Sequence, residues 1–124
     1  MKFPTQWPDD CPPPDAVDAD GEVFRLAKND PPTPEDFVTH FESGRLPKAP
    51  ACLRCGLSVF RELGDAIHLR SLFPKLGKKV ARGTLKPSHG KAKLTPSRQP
   101  THTTWWPYEH VDRCKPFAIV KEGG

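Results

Sequence analysis

Apolar residues alternate with polar ones in several short stretches of the chain, and these stretches predict β-strands. In residues 22–27 the alternation places Phe24 and Leu26 on one face. Residues 78–85 and 116–120 are further short strands, and each has apolar anchors bounded by charged residues, glycine or proline.

Two other stretches predict helices. Thr33 is the expected N-cap of a helix that starts at Pro34 and closes at Gly44, because hydroxyl caps, early prolines and terminal glycines are helix boundary signals. A second helix is predicted from Arg61 to Phe73, where apolar residues recur at helical spacing and a proline follows.

The order of these elements predicts an α+β fold, with a small mixed or antiparallel sheet packed on one or two helices. Residues 1–20 contain five prolines and five aspartates, which predicts an extended or mobile N-terminal arm, pinned to the body by Trp7. Residues 21–124 are predicted to form a single α+β domain, in which residues 86–104 show no dependable period and are expected to form a loop.

Composition narrows the class of protein. The chain has 124 residues, of which 16 are proline and 9 are glycine, so coiled coils and long-helix repeats are excluded. No apolar run approaches the roughly 18 residues of a membrane span, and the first residues lack the apolar stretch of a secretory signal. The sequence therefore predicts a cytoplasmic protein with no membrane partner.

Four cysteines leave two readings, reduced thiols or a metal site, since a disulfide scaffold is not expected in a cytoplasmic chain. Cys52 and Cys55 are spaced as half of a zinc knuckle and precede a glycine. The other half could come from His110 and Cys114, or from Cys11 and Cys114. A structural zinc through Cys52 and Cys55 is thus one hypothesis, and thiols without a metal are the alternative.

Charge is distributed unevenly. Residues 1–50 carry five basic and ten acidic side chains, whereas residues 51–124 carry fourteen basic and five acidic ones. Residues 75–98 contain eight Lys or Arg and no Asp or Glu. Either the two halves neutralise each other in the fold, or the basic half faces an anionic partner.

Aromatic residues follow the basic segment and complete a predicted partner-binding surface. Lysines and arginines would neutralise phosphates, and neighbouring tryptophans would stack on unpaired bases. In an extended segment one indole of the tryptophan pair should pack against Phe117 and Ile119, while the other faces outward. The predicted partner-binding residues are Lys75, Lys78, Lys79, Arg82, Lys91, Lys93, Arg98, His102, Trp105 and Trp106.

Residues 102–110 also contain groups that could perform acid–base chemistry. His102 and His110 could act as general bases and Glu109 as an acid or an orienting carboxylate, but no nucleophile lies at an accepted sequence spacing. Ser58 is a candidate partner, although it lacks the flanking glycines of a nucleophile elbow. No catalytic residue is assigned on this basis.

Five short motifs, read in order, resemble those of a family of small uncharacterised bacterial proteins: FRL at 24–26, EDF at 35–37, GLSVF at 56–60, VARGTL at 80–85 and HTTWWP at 102–107. The resemblance covers residues 22–120 and implies a bacterial origin and one compact domain. A second, weaker likeness is to ADP-ribosyltransferase-like folds, in which Arg25, Ser58 and Glu109 would take the parts of the strand arginine, the strand serine and the late glutamate.

These observations give a leading hypothesis and an alternative. The leading hypothesis is a non-enzymatic bacterial accessory or interaction protein whose basic C-terminal half binds nucleic acid or an acidic protein surface. The alternative is a small enzyme that acts on a nucleotide, with a pocket lined by Arg25, Ser58, His102 and Glu109. A concave setting for His102 and Trp105 would favour the enzyme, and an open convex surface would favour the interaction protein.

Overall fold

A computed structural model describes residues 1–122 and contains one antiparallel sheet of seven strands. In chain order the strands are β1 Val17–Asp18, β2 Gly21–Ala27, β3 Leu57–Phe60, β4 Lys79–Leu85, β5 Gly90–Leu94, β6 His102–Pro107 and β7 Phe117–Ile119. They lie across the sheet in the order β1-β5-β6-β3-β2-β4-β7. This architecture confirms the predicted α+β class.

Three α-helices accompany the sheet: α1 His40–Ser43, α2 Ala51–Arg54 and α3 Leu63–Leu72. The longest helix is α3, and its Ala66 is buried. Leu63 and Ala66 of this helix pack against residues of β2, β3 and β4 on one face of the sheet. Across residues 1–122, the helices are all too short or too polar to cross a membrane.

The three predicted strands are present as β2, β4 and β7, and the helix predicted from Arg61 is present as α3. The prediction that residues 86–104 form a loop is wrong in part, because residues 90–94 form β5 and residues 102–104 begin β6. The apolar side chains of this segment are few, and Ala92 is the buried centre of β5, opposite Trp105. A strand of alternating lysine and small residues has too weak an apolar signal to be read from sequence.

The helix predicted at 34–44 is interrupted. Pro34–Phe37 forms a 3₁₀ turn, Val38 returns to an extended backbone, and α1 starts afresh with Thr39 as its N-cap. The Thr39 hydroxyl accepts a hydrogen bond from the Glu42 amide at 3.1 Å, and the Glu42 carboxylate accepts one from the Thr39 amide at 2.9 Å. This local capping box competes with a continuous helix.

The N-terminal arm is part of the folded body. Val17 pairs with Ala92 at the sheet edge, and Cys11 forms a disulfide with Cys52 of α2. The prediction that Trp7 pins this segment is confirmed, since its side chain is buried.

Both tryptophans of the pair are completely buried, so the expected outward-facing indole is wrong. Trp105 packs toward Phe117 with ring centroids 6.1 Å apart, as predicted. Trp106 points to the opposite face, as alternation requires, but there Trp7 and Cys55 cover it. The N-terminal arm therefore covers Trp106, which alternation along the strand alone does not predict.

We expect Trp106→Ala to destabilise the protein as strongly as Trp105→Ala, each lowering the free energy of unfolding by about 3–5 kcal/mol, because each removes a fully buried ring and leaves a cavity. Urea denaturation followed by far-UV circular dichroism measures both. Phe73→Ala is the control, because Phe73 is an exposed aromatic residue. A Trp106→Ala variant as stable as the control would contradict the burial of this ring.

Candidate functional site

The two central strands β2 and β3 separate soon after they meet, and this divergence creates the candidate site. Within residues 1–122 they are paired at Phe24 and Phe60 only. Beyond that point the Arg25 guanidinium donates to the Ser58 carbonyl at 2.8 Å and to the Asp36 carbonyl at 2.9 Å. Arg25 therefore satisfies a strand carbonyl that the neighbouring strand no longer reaches.

A cleft of about 520 Å³ opens beside this divergence. Its floor comes from strands β2, β3 and β6, and its walls come from α1, α2, the end of α3 and the residues that follow β5. The described part of the chain contributes no aspartate or glutamate to the lining. The polar and charged lining side chains are Arg25, Thr39, His40, Arg54, Ser58, Thr95, His102 and Thr104.

A serine and a histidine face each other on the floor of the cleft. Ser58 lies opposite Thr104 and Phe60 lies opposite His102, so the register of β3 and β6 places Ser58 and His102 diagonally on one face. The distance from Ser58 Oγ to His102 Nε2 is 2.9 Å. Ser58 is exposed to the cleft, so its hydroxyl is both hydrogen-bonded and accessible.

The backbone fixes the tautomer of His102. Its Nδ1 lies 2.7 Å from the Thr95 carbonyl oxygen, which can only accept a hydrogen bond. Nδ1 therefore carries the proton, and the neutral ring presents Nε2 as an acceptor. The Ser58 hydroxyl consequently donates to His102, which is the arrangement that a general base requires.

The surroundings keep His102 neutral. Burial lowers its pKa below the ordinary value, although the hydrogen bond to the Thr95 carbonyl opposes this shift. A neutral imidazole at physiological pH can accept the Ser58 proton.

One end of the cleft is positively charged. Burial lowers the pKa of Arg25 to about 10, and the nearby Arg113 adds to this, while Asp36 opposes it. The pKa of His40 is lowered by burial and then by Arg25, Arg45 and Arg54. These groups therefore lie close enough to repel one another, and an anion placed among them would be stabilised.

Part of the predicted partner-binding surface is neutralised by the acidic front half of the chain. Lys91 pairs with Asp18 at 3.0 Å and Lys93 pairs with Asp15 at 2.8 Å. Both lysines lie on β5, and the pairing of β5 with β1 brings the acidic N-terminal segment beside them. For Lys91 and Lys93, the acidic and basic halves of the chain therefore neutralise each other in the fold.

The other predicted partner-binding residues are divided between surface, cleft and core. Arg82 is exposed and lies 3.8 Å from Glu22. Trp105 and Trp106 are buried and cannot stack on bases, which corrects their predicted role, while His102 lies in the cleft. Four of the predicted partner-binding residues are exposed and have no ion-pair partner among residues 1–122: Lys75, Lys78, Lys79 and Arg98.

The pocket expected for the alternative hypothesis is present in part. The cleft brings together Arg25, Ser58 and His102, whereas Glu109 lines a different depression beside Val111. His102 is therefore in a concave setting, and Trp105 lies beneath it in the core. Thr95 and Arg54 were not identified from the sequence, and no motif marks them.

Cys52 is not free to join Cys55 in a zinc site, because it is bonded to Cys11. The prediction that these cysteines are reduced thiols or metal ligands is therefore wrong for Cys11 and Cys52. Cys55 is buried, which raises the pKa of its thiol to about 11. Within residues 1–122 there is no cluster of three or more side chains that could hold a metal ion, so the structure does not support zinc through Cys52 and Cys55.

Comparison of the chain with family models, with curated proteins and with solved structures finds no match. The resemblances drawn from the motifs therefore stay predictions. The function is therefore inferred from the geometry of the cleft.

We expect His102 to titrate below the ordinary histidine pKa of about 6.5. Burial disfavours the imidazolium, so the ring should stay neutral as the pH falls through the value at which an exposed histidine gains its proton. An NMR titration of the imidazole C–H resonances measures this, and the resonance that disappears in His102→Gln gives the assignment. A pKa above 6.5 would contradict the described setting.

Proposed function

We propose that this protein is an enzyme that hydrolyses an ester in the cleft, with Ser58 as nucleophile and His102 as general base. The observation that supports this best is the hydrogen bond of 2.9 Å between Ser58 Oγ and His102 Nε2, with Nδ1 held by the Thr95 carbonyl. A nucleophile, a base and a group that orients the base are the parts of a serine-dependent acyl transfer site. Here a backbone carbonyl takes the place of the orienting carboxylate.

The proposed reaction has two steps. Ser58 Oγ forms a bond to the acyl carbon while His102 Nε2 takes the hydroxyl proton, and the ester C–O bond breaks as that proton passes to the leaving alcohol. Water then adds to the acyl carbon and gives a proton to Nε2. The bond to Ser58 breaks, and the proton returns to the serine oxygen, so no cofactor is consumed.

Arg25 supports this chemistry electrostatically. Its guanidinium is held against the Ser58 backbone and lines the same cleft. A fixed positive charge beside the nucleophile would stabilise the oxyanion that develops when the serine adds to a carbonyl. Half-burial strengthens this effect relative to a solvated arginine.

The proposal adopts three residues of the alternative hypothesis, Arg25, Ser58 and His102, and gives them a different reaction. It assigns no part to Glu109.

We expect the protein to hydrolyse 4-nitrophenyl butyrate, and Ser58→Ala to lower kcat/KM on the order of 10³-fold because the nucleophile is gone. His102→Gln should lower it by about 10²–10⁴-fold through loss of the base. Release of 4-nitrophenolate measures both. Ser88→Ala is the matched control, since Ser88 is an exposed serine outside the cleft.

The pH profile provides an independent check. The neutral form of His102 is the active base, so kcat/KM should rise with pH and reach its plateau after a midpoint below about 6.5. Equal activity of Ser58→Ala and wild type, or a profile flat through this region, would show that the pair is not catalytic.

A second candidate function is the binding of an anionic partner by the exposed lysines that follow α3. Lys75, Lys78 and Lys79 are close in sequence, exposed, and without an ion-pair partner among the described residues. This proposal retains the leading hypothesis of an accessory protein that binds nucleic acid or an acidic protein face. It does not require the cleft.

We expect a single-stranded oligonucleotide, if it is the partner, to bind with an affinity that falls steeply with salt. Replacing Lys75, Lys78 and Lys79 by Glu should reduce the slope of log K against log salt by roughly 2, since each phosphate contact contributes about 0.7. Fluorescence anisotropy at several salt concentrations measures this. Lys48→Glu, an exposed lysine of the acidic half, is the control. Wild-type protein that fails to bind at low salt would leave an acidic protein as the partner.

A further inference from the structure

We infer that the ligand of this cleft is an amphiphile, with an apolar body that lies against the rim and an oxyanion group that binds Arg54 at the cationic end. This inference rests on the proposed function, because it names the class of ester that Ser58 would receive.

Arg54 is a half-buried arginine whose guanidinium has unused donors. Its Nε donates to the Arg45 carbonyl at 3.0 Å, and its guanidinium lies 5.9 Å from the centre of the Phe41 ring. Among residues 1–122 its two terminal nitrogens have no hydrogen-bond acceptor and no carboxylate within ion-pair distance. By contrast, Arg70 and Arg113 each form a two-pronged ion pair with a glutamate.

Other cationic groups share this end of the cleft. Burial lowers the pKa of His40, and Arg25, Arg45 and Arg54 all lie near enough to His40 to lower it further. Two carboxylates of the region are already engaged: Glu42 binds Arg113, and Asp36 accepts hydrogen bonds from backbone amides. A guanidinium with two free, coplanar nitrogens matches the two oxygens of a carboxylate or a phosphate.

The mouth of the cleft is lined by apolar side chains that the fold leaves exposed. Val38, Leu46, Leu53 and Leu76 have exposed fractions of 45, 57, 45 and 51%, and all four line this one cleft. Single exposed leucines are ordinary, but several converging on one opening mark a surface that a ligand covers.

The volume of about 520 Å³ is that of a small-molecule site. Such a ligand would place an apolar chain over the four rim residues, an ester at Ser58 and an oxyanion at Arg54. The oxyanion is a carboxylate or a phosphate, and the two are separated experimentally.

The test is a binding measurement on Ser58→Ala, so that no turnover is needed. NMR titrations use three probes with the same eight-carbon chain: octanoate, octyl phosphate and octan-1-ol. We expect at least one of the two anions to bind on the order of tenfold more tightly than the alcohol, as a charge-assisted hydrogen bond predicts. The tighter of the two anions identifies the group.

Arg54→Gln, made in the same background, should weaken binding of the preferred anion about tenfold and leave binding of octan-1-ol unchanged. Arg98→Gln is the matched control, because Arg98 is exposed and outside the cleft, and it should change neither. Thermal melting shows whether each variant is folded. If Arg54→Gln does not fold, the binding measurement is repeated on Ser58→Ala in 0.5 M salt. The salt must then weaken binding of the anion and leave binding of octan-1-ol unchanged.

Equal binding of the alcohol and both anions, or anion binding that neither Arg54→Gln nor salt weakens, overturns the inference. The failure of the proposed function has a different signature. If wild type does not hydrolyse esters while Ser58→Ala still binds the anion through Arg54, the cleft is a binding site and Ser58 is not a nucleophile. If esters are hydrolysed without any anion preference, the catalytic pair is retained and the inference about Arg54 is wrong.

Discussion

The hydrogen bond from Arg25 to the Ser58 carbonyl joins two halves of a sheet whose facing strands, within residues 1–122, are paired at Phe24 and Phe60 only. On one side lie β1, β5, β6 and β3, and on the other lie β2, β4 and β7. Where the strands part, a backbone carbonyl would be left without a donor, and such a group is costly in a protein interior. A long cationic side chain fills the gap, and its charge makes the opening suitable for an anion.

The same sheet is covered on both faces, and this determines which sequence features are free for recognition. One face carries Trp105 and the core around Phe117, while the other is shared by α3, the N-terminal arm and the cleft. The arm occupies the surface that would otherwise expose Trp106, and its aspartates neutralise two strand lysines. Four of the residues predicted to form a nucleic-acid surface are structural in the fold, namely Lys91, Lys93, Trp105 and Trp106. By contrast, Lys75, Lys78, Lys79 and Arg98 are exposed.

The sequence predicted the fold class and elements with strong local signals, such as β2 and α3. The prediction of secondary structure was wrong at two places. At β5 the apolar signal is weak, because Ala92 is its main buried side chain. At Thr39 a local N-cap starts a new helix inside the predicted one. Ser58 and His102 were both singled out, but their contact depends on the β3–β6 register. Arg54 and Thr95 carry no motif, so only tertiary structure could place them beside the cleft.

The pairing of β1 with β5 has a consequence for how the chain folds. Asp18 is paired with Lys91, and Cys11 is bonded to Cys52, so the arm docks on residues that follow it by a long stretch of sequence. During synthesis the arm has no sheet edge to join until β5 has been made. Contacts between distant segments slow folding, because the intervening chain must first be ordered. Docking of the arm over Trp106 is therefore expected to be a late event, and a chain trapped before it would expose an indole that the finished protein hides.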